Sequence, residues 1–148
     1  MDKFPFTKEE FDKIYSKVPR LTVELIVKDA NGRIFFTKRA IPPCTGQWHL
    51  PGGTVYFAET ISAAVNRVAK RELGIDVKQT INNGFIEYPS HYKNGLDMPV
   101  GLVFEILKYS GRLQPNEEAA DSGWFDRIPT PFHADQDQFL IKNKYLIY

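Results

Sequence analysis

Apolar positions follow two different periods along the chain. Residues that alternate or run continuously over four to eight positions predict strands, which are expected over residues 21–28, 33–39, 48–49, 77–81, 84–88, 100–109 and 124–125. Apolar residues that recur every three or four positions predict helices, which are expected before residue 19, over residues 60–73 and over residues 134–146. Helices on both sides of the strands predict an α/β fold with a mixed β-sheet in an α/β/α sandwich.

Turn and capping residues place the boundaries of these elements. Asn31-Gly32 predicts a tight hairpin between the first two strands. Thr7 and Glu10 form the pattern of a capping box, and Pro19 ends the helix that it starts. Because this N-terminal helix has an apolar face, it must cover its own domain or a second subunit. The segments 90–99 and 113–123 are predicted to be polar loops.

The helix over residues 60–73 is the most informative segment. Thr60 suits its start, and Gly74 suits a left-handed stop. Glu72 continues the apolar stripe and is therefore expected to point toward the structure on which the helix packs. Arg67 and Arg71 lie four residues apart and share a different face. The apolar stripe consists of Ile61, Ala64, Val65 and Val68.

The spacing G-x5-E-x7-R-x4-E-x-G-I begins at Gly53 and runs through Glu59, Arg67 and Glu72. This pattern resembles the Nudix box, the loop and helix of enzymes that cleave nucleoside diphosphates linked to another group. The resemblance implies a Nudix fold in which Glu59 and Arg67 brace the loop against the helix. The family helix usually carries three carboxylates near its end, whereas only the last is present here, because Val68 and Arg71 hold the other two positions.

The retained carboxylate predicts one metal site. Mg²⁺ prefers oxygen ligands and shares its shell with substrate phosphates and water. Glu72 and a carbonyl of the glycine pair Gly52-Gly53 could begin such a site, since glycines let the backbone approach a ligand closely.

Outside the box the chain resembles the GDP-mannose mannosyl hydrolase branch of the family. The matching stretches are the N-terminal helix and residues 23–27, 37–39 and 47–53. This resemblance implies a nucleotide-sugar substrate such as GDP-mannose and a single Mg²⁺, with Mn²⁺ as the alternative. The implied metal ligands are the Gly52 carbonyl, Glu72 and Glu118, and Arg39 is implied to hold the substrate phosphates.

Two positions depart from that branch. Thr54 stands where the branch has an arginine, and Ala119 stands where it has a histidine general base. His91 is then the best remaining base, because histidine titrates near neutral pH; the alternative is a solvated loop histidine. Arg67 and Arg71 are candidates for positive charge around the phosphates. The candidate catalytic residues are thus His91, Arg67 and Glu72, and the candidate substrate-binding residues are Arg39 and Arg71.

The remaining histidines and the cysteine are given structural interpretations. His49 follows Trp48 in a short strand and is expected to be structural, while His133 is expected at the surface or as a helix cap. Cys44 lies in a proline-rich loop with no histidine or cysteine beside it in sequence, which favours a free structural thiol.

Composition narrows the class of protein. A chain of 148 residues with 43% hydrophobic and 25% charged residues suits one globular domain. The net charge of +1 gives no electrostatic basis for wrapping nucleic acid. One cysteine and the lack of a membrane-length apolar run lead us to expect a cytoplasmic protein without a membrane contact. The resemblance to the GDP-mannose mannosyl hydrolase branch suggests that residues 1–19 could be exchanged between subunits, so we expect a homodimer.

Two functions are consistent with these features. The first is a Mg²⁺-dependent hydrolase that acts on a nucleoside diphosphate linked to a sugar or a similar group. The second is a Nudix-fold protein that binds a nucleotide sugar but hydrolyses it poorly or not at all, which the missing carboxylates and the missing histidine at Ala119 favour. The retained Gly52, Glu72 and Arg39 favour the hydrolase.

Overall fold

A computed structural model describes residues 3–117 and 119–148. Within these residues the chain forms four helices and seven strands. The helices are α1 (Lys8–Tyr15), α2 (Ile61–Leu73), α3 (Pro89–Lys93) and α4 (Ala134–Lys142). The strands are β1 (Arg20–Val27), β2 (Ile34–Arg39), β3 (Trp48–His49), β4 (Gly52–Thr54), β5 (Asp76–Glu87), β6 (Pro99–Ser110) and β7 (Ala119–Phe125).

The strands form two sheets. One has the order β4-β1-β6-β5, and the other has the order β3-β2-β7. The β1–β6 pair is parallel, and the other strand pairs are antiparallel. The prediction of a mixed-sheet α/β fold is therefore confirmed.

Two apolar clusters form the core. One joins β1 and β2 to the buried face of α2, which contributes Ala64, Val65 and Val68 as its stripe predicted. The other contains Phe139 and Leu140 of α4. The two clusters hold α2 and α4 in place by burial of apolar surface.

The caps of α2 agree with the sequence. The Thr60 hydroxyl accepts a hydrogen bond from the Ala63 N–H, and Gly74 has the left-handed φ of 69°. The helix consequently begins and ends where its sequence predicts, and this fixes the position of Glu72 in its last turn.

The predicted hairpin of the first two strands is wrong in its pairing. Asn31-Gly32 does form a turn, in which the Gly32 N–H donates to the Asp29 carbonyl. Beyond a single bridge between Lys28 and Ile34, however, the two strands separate into different sheets. On one edge of β1, β4 pairs with residues 22–24 and β6 fills the other edge, while both edges of β2 are taken by β3 and β7.

Three boundaries also differ from the predictions. The strands expected at 77–81 and 84–88 form one strand, β5. It stays paired with β6, and the register of that pairing shifts between Asn82 and Phe85. The loop expected at 90–99 contains helix α3, which starts with Pro89 at a position that proline favours. The loop expected at 113–123 ends early, because residues from Ala119 pair with β2.

The N-terminal helix packs loosely on its own chain. Its capping box between Thr7 and Glu10 is formed, as predicted. No residue of α1 is buried. Phe11 contacts Phe4, and Phe4 contacts Tyr56 of the loop before α2. Phe4 thereby connects the helix to the loop that follows β4. Within the described residues, no helix is long and apolar enough to cross a membrane.

Candidate active site

An open cleft of about 970 Å³ brings most of the predicted site residues together. Its wall includes parts of α1, β1, β4, α2, α3 and the loop before β3. The predicted site residues that line this cleft are Arg39, Gly52, Arg71, Glu72 and His91. Arg67 does not line it, and Glu118 lies outside the described residues.

Glu72 faces the cleft from the last turn of α2. Its side chain is 16% exposed, and it also lines a small cavity of about 30 Å³ with Gly52 and Arg39. Arg71 Nε donates to Glu72 Oε1 at 3.1 Å, and Asn116 Nδ2 donates to Oε2 at 3.1 Å. The carboxylate is held in a fixed orientation by both contacts.

Close contacts within the chain leave no room for a side chain at Gly52 or Gly53. A Cβ at Gly52 would lie 2.1 Å from Glu24 Oε2, and a Cβ at Gly53 would lie 2.8 Å from Arg71 Nη2. A side chain at either position would therefore displace a charged group of the cleft. The sequence predicted close approach to a ligand, and the structure adds that Glu24 and Arg71 already occupy this space.

Arg39 has an unused donor. Its Nη2 donates to the Pro42 carbonyl at 3.1 Å, whereas its buried Nε has no hydrogen-bond partner in the described residues. A buried donor without an acceptor is costly. Because Arg39 lines both the cleft and the small cavity, a ligand anion in either could satisfy it.

Arg67 braces the loop instead of lining the cleft. Its Nε donates to Glu59 Oε2 at 2.6 Å, and its Nη2 donates to the Thr54 carbonyl at 2.6 Å. The guanidinium lies 3.6 Å from the centre of the Tyr56 ring. The hydrogen bond from Arg67 is the main cause that lowers the pKa of Glu59. The bracing role implied for Glu59 and Arg67 matches these contacts.

Arg20 lines the cleft but was not identified as a site residue from the sequence. Its Nη1 donates to the Thr54 hydroxyl at 2.7 Å, and its Nε donates to Asp97 Oδ2 at 2.6 Å. Arg20 lines the cleft, so a guanidinium lies beside Thr54, the position where the resemblance leads one to expect an arginine.

The loop after β6 contacts the last turn of α2. The Gln114 N–H donates to the Leu73 carbonyl at 2.7 Å, and Asn116 contacts Glu72. Asn116 was not identified from the sequence, and it is the described residue of this loop that bonds to the predicted metal ligand.

Glu24 is a second carboxylate in the cleft. It is 7% exposed, and it accepts a hydrogen bond from the Thr22 hydroxyl at 2.9 Å. Burial raises its pKa from 4.5 to about 7, and the Thr22 hydrogen bond offsets part of that shift. Near neutral pH this group can therefore hold or release a proton inside the cleft.

A Glu24→Gln variant is expected to be more stable than the parent at pH 8, by roughly 2–3 kcal/mol. The raised pKa means that the folded state holds this proton more tightly than the unfolded chain does. Stability is therefore lost as pH rises from about 4.5 to about 7. Urea unfolding in EDTA at pH 8 and pH 5 measures the effect, which should shrink strongly at pH 5. A difference that is equal at both pH values would contradict the prediction.

Cys44, His91 and His133, which we call the histidine cluster, meet in the same cleft. One ligand atom from each residue lies within 4.8 Å of the others. His91 Nε2 is 2.9 Å from His133 Nε2, and His91 Nδ1 is 3.0 Å from Asp97 Oδ1. His91 is 8% exposed and His133 is 7% exposed.

The structure decides between several interpretations of this cluster. The alternative of a solvated loop histidine is excluded for His91, because it lies in α3 and packs on Tyr88. His133 is not at the surface but occupies the N-cap position of α4, where it stacks on His91 and its side chain makes no cap hydrogen bond. Cys44 is a free thiol, as expected. Cys44 has two histidines beside it in space, which the sequence could not show because they are 47 and 89 positions away.

The cluster changes the protonation of its members. Hydrogen bonding to His133 and His91 lowers the pKa of the Cys44 thiol to about 6. Burial alone would lower the pKa of His91, but Asp97 and Cys44 raise it to about 9. His91 is then an imidazolium at pH 7, which suits it to donate a proton or to supply positive charge. By contrast, burial lowers the pKa of His49 to about 4, so that histidine is neutral.

Comparison with known proteins supports the family that the sequence resembles. The family model of the NUDIX domain matches residues 18–140. The chain is 36% identical over 136 residues to the low-salt glycan biosynthesis protein Agl8 of Haloferax volcanii, an alignment that covers 89% of this chain and 86% of that protein. It is 28% identical over 125 residues to an ADP-ribose pyrophosphatase of Methanocaldococcus jannaschii, with 84% of this chain and 72% of that protein covered.

A solved structure shows the same fold. The crystal structure of a MutT NUDIX hydrolase from Burkholderia pseudomallei has a TM-score of 0.76 to this chain at 29% identity, and the match covers 84% of this chain and 97% of that one. The chain therefore belongs to the Nudix family. It is a Nudix hydrolase, a member of the class of enzymes that cleave nucleoside diphosphates linked to another group.

Proposed function

We propose that this chain hydrolyses a nucleotide sugar, of which GDP-mannose is the leading candidate, with the help of one Mg²⁺. The observation that carries the proposal is the meeting of Arg39, Gly52, Arg71, Glu72 and His91 in one cleft. The similarity to a glycan biosynthesis protein, which 36% identity supports, fits a substrate with a sugar moiety.

The residues at Gly52 and Glu72 fit a hard divalent cation. Both line the small cavity beside the cleft, and no Cβ can occupy the space beside Gly52. We assign the Gly52 carbonyl, Glu72 and Glu118 as ligands for Mg²⁺, with Mn²⁺ as the alternative. Such an ion, when bound, neutralises diphosphate charge and orients the diphosphate. The hydrogen bonds from Arg71 and Asn116 hold the Glu72 carboxylate in position for it.

Arginines supply the positive charge that a departing diphosphate needs. Arg39 offers its unpartnered Nε, and Arg71 lies across Gly53 at the cleft wall. A guanidinium fork suits phosphate oxygens. We propose that Arg39 and Arg71 bind the diphosphate and that Arg67 contributes by holding β4 in place through the Thr54 carbonyl.

His91 is our candidate for proton transfer. With its pKa raised to about 9, it protonates a leaving group or stabilises negative charge at neutral pH, and it becomes a base only at higher pH. Glu24, whose pKa is raised to about 7, is a second group able to accept a proton from water in the cleft.

The second candidate is a protein that binds nucleotide sugars and turns them over poorly. The absence of carboxylates at Val68 and Arg71 favours this function. Val68 is fully buried in the core, so that position faces away from any ligand. The cleft keeps its acidic and basic residues, and for this reason we place the hydrolase first.

Turnover of a nucleotide-sugar panel with Mg²⁺ separates the two functions, and water labelled with ¹⁸O identifies the bond that breaks. We expect release of free sugar that carries the label, because a single metal and several arginines suit departure of an intact nucleoside diphosphate. Label in the phosphate product would show attack at phosphorus. Tight binding without turnover of any member of the panel would favour the binding protein.

We further expect a homodimer that uses the N-terminal segment. Helix α1 has no buried residue, and Ile14, Val18 and Leu21 are 36%, 48% and 40% exposed. Burial of this apolar face in a second copy would remove it from water. Sedimentation at micromolar concentration should give a dimer, and the double variant Ile14→Glu/Val18→Glu should give a monomer. A monomeric parent protein would contradict the expectation.

A further inference from the structure

Three side chains with nitrogen or sulfur donors converge in the cleft. We propose that the histidine cluster binds a borderline-soft divalent cation of the Zn²⁺ class, at a site distinct from the oxygen ligands around Glu72. This inference goes beyond the proposed hydrolysis, which assigns a hard cation to oxygen donors. Cysteine and histidine are the ligands that Zn²⁺ selects, whereas Mg²⁺ avoids them.

The spacing of the donors fits such an ion after a small adjustment. The ligand atoms of Cys44, His91 and His133 lie within 4.8 Å of one another. Ligand bonds of 2.0–2.3 Å in a tetrahedral zinc site separate the donors by about 3.4–3.6 Å. The Nε2 atoms of His91 and His133, now 2.9 Å apart, need to open by about half an ångström to meet the distances of such a site.

Asp97 prepares His91 as a ligand. Its Oδ1 lies 3.0 Å from His91 Nδ1, and its Oδ2 is fixed by Arg20 at 2.6 Å. A carboxylate that accepts from one ring nitrogen leaves the other nitrogen to bind a metal once its proton is displaced, and this pairing is common behind zinc-bound histidines. The facing Nε2 atoms of His91 and His133 share one proton in a hydrogen bond, and a bound cation would replace that proton.

One ring nitrogen of His133 has no hydrogen-bond partner in the described residues. This atom, Nδ1, is buried, so the ring is not held by a protein partner on that side. The ring is held instead by the contact of its Nε2 with His91 Nε2 and by packing on Tyr88. Since all three residues of the cluster line the cleft, a cation that they hold keeps a coordination position open to solutes.

Metal binding would also change what His91 can do. A histidine that donates its lone pair to Zn²⁺ cannot transfer a proton. Zn²⁺ at the cluster is therefore expected to inhibit the hydrolysis proposed above, while Mg²⁺ at Glu72 supports it. The binding itself does not depend on the proposed substrate, so it can be tested separately.

Cobalt titration of the EDTA-treated full chain gives a direct readout. Cys44 is the only cysteine of the chain, so a near-ultraviolet thiolate-to-cobalt absorption band can arise only from this site. We expect one equivalent of Co²⁺ to produce the band and Zn²⁺ to displace it. Cys44→Ser should abolish the band, and His133→Ala should weaken Zn²⁺ binding at least about 10-fold.

Two variants serve as controls. His49→Gln removes a half-buried histidine of the cleft that lies outside the cluster, and it should keep the band. Glu72→Gln should also keep it, because this variant affects the proposed oxygen site. Circular dichroism of each variant checks folding. As a measurement on the parent chain, Zn²⁺ should slow alkylation of Cys44 by iodoacetamide at least about 10-fold if the thiolate is a ligand.

Several results would overturn the proposal. These are the lack of a thiolate band at one equivalent of Co²⁺, an unchanged affinity for Zn²⁺ in His133→Ala, and alkylation of Cys44 at the same rate with and without Zn²⁺. Fast alkylation together with no cobalt band would mean that the cluster activates a thiolate without holding a metal. Failure of every nucleotide sugar in the hydrolysis assay would leave the outcome of these binding measurements unchanged.

Discussion

Replacing Glu72 by Gln is expected to nearly abolish Mg²⁺ binding and to lower hydrolysis by at least about 100-fold, which corresponds to about 3 kcal/mol of transition-state stabilisation. Glu72 is the carboxylate that α2 directs into the cleft beside Gly52. An amide keeps the shape of the side chain but loses the charge that attracts the cation. The hydrogen bond from Arg71 should weaken as well, since its acceptor becomes neutral.

Calorimetric titration with Mg²⁺ and turnover of the best substrate measure the two effects of Glu72→Gln. Glu87→Gln is the matched control, because Glu87 is an exposed carboxylate outside the cleft. Its binding and turnover should equal those of the parent. Unchanged Mg²⁺ affinity in Glu72→Gln would remove Glu72 from the metal site. A substrate complex with three well-occupied metals on this helix would refute the single-metal arrangement.

Local patterns predicted the elements that depend on nearby residues. The stripe of α2, its Thr60 cap and its Gly74 stop act within one or two turns, so the sequence is sufficient for them. The pairing of β1 was not predictable from Asn31-Gly32. A turn motif defines the turn, but the competition between β2 and the partners β4 and β6 is decided by distant residues.

The site residues divide in the same way into those with a local sequence pattern, which were predicted, and those that depend on distant contacts, which were missed. Glu72 is part of a recognisable spacing, and Arg39 lies in the stretch 37–39 that resembles a branch of the family. Asn116 and Asp97 act through contacts 44 and 77 positions away along the chain, with Glu72 and Arg20. The sequence offers no local pattern for such contacts.

One missed residue had a usable pattern. Glu24 interrupts the apolar run 23–27, whose other members Val23, Leu25, Ile26 and Val27 are fully buried. A carboxylate in the centre of a buried strand is uncommon without a partner or a function. The histidine cluster has no such pattern in the sequence. Its members Cys44, His91 and His133 come from three segments that only the folded chain brings together.

The second large effect concerns stability. Arg67→Met is expected to lower the free energy of unfolding by about 3 kcal/mol, because it leaves the Glu59 carboxylate and the Thr54 carbonyl without their main donor. Arg67 and Glu59 are only 16% and 14% exposed. For a domain of this size the melting temperature should fall by about 10 °C.

The pH dependence identifies the charge pair as the cause. Arg67 lowers the pKa of Glu59, so the pair stabilises the fold above the unfolded-state pKa of Glu59, and this contribution is lost as pH falls through the lower folded-state pKa. The difference between Arg67→Met and the parent should therefore shrink at acid pH. In a double-mutant cycle with Glu59→Gln, the two losses should be less than additive, because both variants break one interaction.

Arg67→Met also tests whether Arg67 positions the site or acts in the reaction. Because Arg67 is bonded to the Thr54 carbonyl and does not line the cleft, we expect turnover of the folded variant to fall much less than turnover of Glu72→Gln. Assays well below the melting temperature separate lost activity from lost fold. A collapse in turnover as large as that of Glu72→Gln, with the melting temperature unchanged, would instead place Arg67 among the catalytic residues.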